Sequence, residues 1–240
     1  MLKVELHSHT ADDPSDNIPY STRELIDRAA ALGYDALAAT LHDAQLDLAP
    51  HAGYAAERGL LLISGIERTI SGKHVLLINF DRRDSEAVQS FDDVASLKRE
   101  GNGLVIAPHP YFPDGSCLGR LLDDHAELFD AVEWNGMYTR GLNFNARAER
   151  WAGAHGKPMV GNGDVHRLAM LGTTYSVVDA PKDADAICGA IRAGAVRVET
   201  RPHSVLMAAG IMASLLLTPD KVKSANPLWI RHSPPSSTTS

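Results

Sequence analysis

The sequence predicts an α/β protein whose strands close, or nearly close, into a barrel. Short apolar runs alternate with longer stretches of helical spacing, the mark of βα units around a parallel sheet. About seven or eight such runs occur in 240 residues, which is enough chain for one barrel-sized core. Successive runs also end in His, Asp or Glu, at the place where barrel enzymes keep their chemistry. The composition, 44% hydrophobic and 22% charged, is that of an ordinary globular chain.

The strands are expected near 2–6, 35–40, 60–65, 74–80, 103–107, 130–134, 158–162 and 173–178. Between the first two, Ser21-Thr22-Arg23-Glu24 resembles a capping box that opens a helix, and Gly33 stops it after Leu32. Helical spacing also runs over Asp84 to Glu100, Asn143 to His155 and Asp183 to Ala193, each followed by glycine. The apolar run Val205 to Leu217 is well short of the roughly 20 residues that span a bilayer, so it is expected as a core helix. The barrel is assigned to residues 1–220. The remainder, 221–240, is rich in Pro, Ser and Thr and cannot bury enough surface to offset its ordering entropy, so a loose tail is expected. Gly161-Asn162-Gly163-Asp164 lacks the third glycine and the helix context of a dinucleotide-binding loop.

Histidine is abundant, at 11 residues. His7-Ser8-His9 follows the first strand, and alternate residues of an extended chain point to one side, so both imidazoles can reach one metal cluster. His42 ends the second apolar run, Glu67 the third, and His109, between Pro108 and Pro110, the fifth. Asp164 and His166 follow the seventh in the same way. One such histidine would mean little; five strand ends bearing only ligand types disfavour a core-filling role, because buried charge is costly. His74 opens a run instead of ending one and reads equally well as a loop histidine. Among Asp12, Asp13 and Asp16, in the loop after the first strand, one ligand would suffice.

A net charge of −7 argues against a protein that grips long nucleic acid through a basic face. It leaves room for a small phosphorylated substrate, since bound divalent ions would dominate the local field. Cys117 and Cys188 form no CxxC pair or disulfide framework, and no leader is read before Leu2, which together fit a cytoplasmic protein without a membrane role. Oligomeric state is left open.

Taken together, the motifs resemble the polymerase and histidinol phosphatase (PHP) superfamily of metal-dependent phosphoesterases over roughly residues 2–200. The resemblance rests on His7-Ser8-His9, Thr40-Leu41-His42, Gly65-Ile66-Glu67, His109-Pro110 and Asp164-Val165-His166. It implies a distorted (β/α)7-type barrel with a metal site at the C-terminal ends of the strands. It also implies the ligand set His7, His9, Asp16, His42, Glu67, His74, His109, Asp164 and His166, holding two to three divalent metal ions. The family's histidine shortly after the glutamate singles out His74, and its acid several residues beyond HxH favours Asp16 over Asp13. Leu41 and Gly163 stand where the family often has Asp or Asn and Ser.

Mixed imidazole and carboxylate ligands suit zinc, manganese or iron. The expected reaction is hydrolysis of small phosphomonoesters by a metal-bridging hydroxide, with Glu67 and Asp164 as the catalytic carboxylates. Arg140, on the loop after the strand ending at Asn135, is the expected phosphate-binding residue, since a guanidinium matches phosphate by a bidentate fork. Arg68 and Lys73 are weaker candidates. Cys117 lacks a partner acid or base and is not expected to be a nucleophile. The competing readings are a phosphodiesterase acting on nucleotides or short oligonucleotides, an amidohydrolase-type metal hydrolase, and a non-catalytic domain stabilised by metal.

Overall fold

The computed structural model describes residues 1–218 and 221. Along the chain lie β1 (Leu2–Glu5), α1 (Thr22–Ala31), β2 (Ala36–His42), α2 (Ala49–Ala56), β3 (Leu61–Ile70) and β4 (Lys73–Ile78). They are followed by α3 (Arg82–Ala87), α4 (Phe91–Glu100), β5 (Leu104–Ala107), α5 (Leu121–Asp124), β6 (Ala131–Asn135) and α6 (Asn145–His155). The described chain ends with β7 (Met159–Asn162), β8 (Thr174–Val178), α7 (Ala184–Arg192), β9 (Val196–Thr200) and α8 (Val205–Leu216).

All nine strands form one sheet in the order β7-β6-β5-β4-β3-β2-β1-β8-β9. The sheet curls until its ends meet. At one end Val165 donates to the His7 carbonyl and His9 donates to the Val165 carbonyl, each at 3.1 Å. Leu6 N–H donates to Asn162 Oδ1, and Gly163 N–H donates to the buried Glu5 carboxylate. A Cβ at Gly163 would sit 2.7 Å from the Val165 side chain and 3.3 Å from Glu5 Oε2, so this seam has little room for serine. Farther along, Ser176 Oγ accepts from Gly161 N–H at 2.9 Å. The result is the nearly closed barrel that the sequence predicts.

The sheet is not all parallel. β1, β2 and β3 are parallel to one another, as are β5, β6 and β7, but β4 is antiparallel to both neighbours and β8 to β1 and β9. The cause is local. Only Ser71 and Gly72, at φ 51° and 74°, connect β3 to β4, and a two-residue turn makes a hairpin because it leaves no length for a crossover helix.

The helix expected over 84–100 is two helices: Asp81 caps α3, Val88 is extended, and a Ser90/Asp93 capping box starts α4 afresh. Both α2 and β9 lie outside the predicted elements. The α1 capping box is present as read.

One buried cluster takes Ala38 from β2, Ile63 from β3, Leu76 and Ile78 from β4 and Ala131 from β6, and continues onto α7 through Ile187, Cys188 and Ile191. Because alternate strand residues share a face, these side chains lie on the same face as His42, Glu67, His74 and Glu133. The apolar layer is therefore the floor beneath the polar cluster. Flanking clusters pack α4 and α6 on one outer side of the sheet and α1 and α2 on another.

The run beginning at Val205 forms a helix as expected, but not a core helix. Ile211 is buried, while Val205, Leu206 and Leu216 are 73%, 86% and 80% exposed. The helix lies on the outside of the barrel, and an unbroken apolar run does not say which of its faces will find a partner. No helix among the described residues is long and apolar enough to cross a membrane. The expected tail lies outside the described residues except for Lys221.

Candidate metal centre

The structure brings all nine expected ligands together at one rim of the barrel. His42, His109 and Asp164 stand at or just beyond the ends of β2, β5 and β7, and His7 and His9 follow β1. His74 opens a strand and still reaches the rim, because β4 runs antiparallel and starts where its neighbours end. Glu67 lies within β3, at the level where His42 pairs with it.

Glu67 is 1% exposed and sits at the centre. Its Oε2 is 3.2 Å from His7 Nε2, 3.4 Å from His9 Nε2 and 3.2 Å from His42 Nε2. Its Oε1 is 2.8 Å from His74 Nδ1 and 3.3 Å from His109 Nε2. Asp164 Oδ1 lies 3.4 Å from His7 Nε2 and 3.2 Å from His166 Nδ1, and His166 Nε2 lies 2.9 Å from Asp16 Oδ2. Two carboxylates thus stand between imidazoles on both sides.

A further layer of residues aims these rings. Glu133, fully buried, accepts from His7 Nδ1 at 2.8 Å and from the His109 backbone N–H at 2.8 Å. Asp13, also fully buried, accepts from His9 Nδ1 at 2.9 Å and from His42 Nδ1 at 3.0 Å, while its other oxygen takes the N–H groups of Ser15 and Asp16. His109 Nδ1 lies 3.3 Å from Cys117 Sγ. Each contact occupies Nδ1 and leaves Nε2 facing Glu67, the arrangement by which carboxylates orient metal-binding histidines. Sequence reasoning left Asp13 undecided and gave Cys117 no role. The sequence contains no signal for burial among neighbouring loop acids, and none for which ring nitrogen a cysteine will meet.

The donor set fits divalent metal. His7 Nε2, His9 Nε2, His74 Nδ1 and Asp164 Oδ1 are buried without a hydrogen-bond partner, and buried polar atoms are rarely left so. His9, His42 and His166 form a group whose ligand atoms lie within 4.8 Å of one another, and so do His42, Glu67 and His74. The backbone is left-handed at both His109 (φ 28°) and Asp164 (φ 48°), a conformation that costs on the order of 1–3 kcal/mol and collects at functional sites.

Charge follows the same geometry. Burial would push the Glu67 carboxyl up, but the imidazoles of His7, His74 and His109 hold it well below the usual carboxylate range. Burial likewise opposes charge on His166, yet Asp164 and Asp16 raise it to about 10. His7 and His109 are raised for the same reason, burial being outweighed by nearby acceptors. Without metal, then, these histidines keep protons that a metal would have to displace.

The rim opens onto a cavity of about 640 Å³, lined by Asp16, Glu67, His109, Phe112, Cys117 and Lys221 among others. Arg140 is not in this lining. It is exposed on a tight turn in which Thr139 N–H donates to the Leu142 carbonyl, and the turn is tied to the segment before α8 where His203 N–H donates to the Tyr138 carbonyl.

A family model described as PHP-associated matches residues 143–196. Among solved structures, a two-domain protein from Bacteroides vulgatus containing a predicted PHP-like metal-dependent phosphoesterase superposes with TM-score 0.63 at 20% identity. That match covers 83% of this chain but 65% of the Bacteroides chain. PsfC from Pseudomonas syringae superposes with TM-score 0.62 at 16% identity, covering 89% of this chain and 98% of its own. Endonuclease Q, bound to a 27-mer duplex with an abasic lesion at its active site, gives TM-score 0.56 at 15% identity, covering 88% and 67%. A comparison with curated proteins finds no match. The resemblance read from the motifs thus holds for the fold.

Proposed function

We propose that the protein is a metal-dependent hydrolase of phosphate esters, acting on small phosphomonoesters. The observation that carries this reading is Glu67: one buried carboxylate whose two oxygens face separate sets of imidazoles whose facing nitrogens are largely unpartnered. A purely structural metal site is closed and needs about four ligands, whereas nine converge here beside an open cavity of small-molecule size.

In this reading His7, His9, Asp16, His42, Glu67, His74, His109, Asp164 and His166 would hold two to three ions. When bound, zinc, manganese or iron would supply Lewis-acid charge for the phosphoryl oxygens and lower the pKa of water. Glu67 would help to hold these ions, with one oxygen toward His7, His9 and His42 and the other toward His74 and His109. Asp164, steadied by Asn135 Nδ2 on its second oxygen at 3.1 Å, presents Oδ1 to His7 and His166. Asp13, Glu133 and Cys117 keep the rings from turning.

A second reading, cleavage of phosphodiesters in nucleotides or short oligonucleotides, draws support from the fold shared with Endonuclease Q. Turnover of p-nitrophenyl phosphate, bis-p-nitrophenyl phosphate and an N-acyl amino acid by manganese- or zinc-loaded protein separates these readings from an amidohydrolase. Activity on the monoester is expected to dominate. Hydrolysis of the amide alone would refute both phosphoesterase readings.

A further inference from the structure

We propose that Lys221, delivered to the cavity rim by the chain that follows α8, is the cationic contact to the substrate's phosphate. This rests on the phosphoesterase reading above.

The cavity carries several carboxylates, Asp16, Asp43, Glu67, Asp114 and Asp164 among them, and Lys221 is the one lysine or arginine among the described residues that line it. Its ammonium donates to the carbonyl oxygens of Ala11 at 2.9 Å and Asp13 at 2.6 Å, and its backbone N–H donates to the Ser15 carbonyl at 2.8 Å. An ammonium has three N–H donors, so among the described residues one donor has no partner and the positive charge is not neutralised. No ion pair among the described residues involves Lys221. Both of its side-chain partners are neutral carbonyls, which position a cation without neutralising it.

The other cations near the rim stand outside the lining of this cavity. Arg167 borders a neighbouring cavity, but its guanidinium donates to Ser214, Thr218 and the His166 carbonyl. Arg68 pairs with Asp43 and donates to the Val88 carbonyl, and the Lys73 ammonium donates to the Gly115 carbonyl. Arg140 is exposed and not part of this lining. Lys221 also has an anchorage suited to the task. The loop it grips is the one bearing Asp13 and Asp16, so its charge keeps a fixed place relative to the ligands of the metal centre. Metals in that centre would take phosphate oxygens from below, and a rim ammonium would take one from the open side as a point charge.

The test is binding of inorganic phosphate to the manganese-loaded full chain by calorimetry, with metal content measured on the same samples. Lys221→Met keeps the length of the stem and removes the charge; it should weaken phosphate binding about tenfold or more at unchanged metal content. Lys221→Arg should recover part of the loss, and Arg140→Ala should stay within about twofold of wild type. Phosphate affinity of Lys221→Met within about twofold of wild type would overturn the proposal. So would a loss of manganese that accounts for the weaker binding, since Lys221 would then only clamp the ligand loop. Hydrolysis is scored separately. Lys221-dependent phosphate binding in a protein that cleaves no phosphoester supports the contact and refutes the phosphoesterase reading. Cleavage of p-nitrophenyl phosphate with KM unchanged in Lys221→Met refutes the contact and keeps that reading.

Discussion

Asp13 and Asp16 share one loop, three residues apart, yet their surroundings give them different work. Asp13 has both oxygens filled by the His9 and His42 rings and by backbone N–H groups, whereas Asp16 turns its Oδ2 to His166. Asp13→Asn replaces an acceptor with a donor against two N–H groups. It should weaken metal binding on the order of 10–100-fold, while Asp12→Asn should leave metal affinity unchanged; titration with manganese distinguishes them. Glu67→Gln keeps the shape and removes the charge that the proposed function places between metal ions, so kcat/KM should fall by orders of magnitude in a protein that still folds. Near wild-type turnover with unchanged metal content would count against the bridging role. Of the candidate ligands, those that follow apolar runs were legible from that position, whereas His74 and Asp16 were singled out only by the family resemblance. Cys117 was not legible, and Asp13 was only one of three candidate acids, because a residue that acts through another is marked by burial and partner geometry, and neither is written in spacing.

At the scale of elements, the β3–β4 hairpin is the decisive piece. Sequence gives β4 as an apolar run, and βα alternation elsewhere implies a parallel strand; the short Ser71-Gly72 turn reverses it, and that reversal brings His74 to the rim. A Cβ at Gly72 would meet nothing within 4 Å, so replacing it tests backbone strain alone. Gly72→Val should cost about 1–2 kcal/mol in urea unfolding, and Gly72→Asn much less, since asparagine tolerates the left-handed turn. The exposed face of α8 was illegible for a complementary reason. Hydrophobicity predicts that a helix forms, but its packing depends on which neighbours the fold places beside it.

At the scale of the molecule, the crowding of ionisable groups sets a pH signature. A histidine whose pKa is higher in the fold stabilises it fully below the unfolded value, near 6.5, and loses that contribution as pH rises through the folded value. For His166 the folded value is about 10, and His7 and His109 shift the same way. Asp13 and Glu67 are depressed, so their contribution is lost on the acid side, as pH falls through the carboxylate range. The metal-free protein should therefore have its highest Tm in mildly acidic solution and lose stability from about pH 6.5 upward. The stabilisation gained on adding manganese or zinc should grow over the same interval, because fewer protons compete for the ligands. Thermal unfolding with and without chelator from pH 6 to 9 measures both; a metal-free Tm that climbs across this range would contradict the proton bookkeeping.

The seam at Val165 also bears on the order in which the molecule assembles. It joins His7 and His9 to Asp164 and His166, groups separated by most of the chain. Such a pairing closes late, because the entropy of a long loop must be met before its contacts form. The candidate ligand set is incomplete until this seam is shut, so metal would act as a lock on a finished barrel and not as a template for its making. Refolding rates should be the same with and without manganese, while unfolding slows when it is present, the pattern of an interaction absent from the transition state.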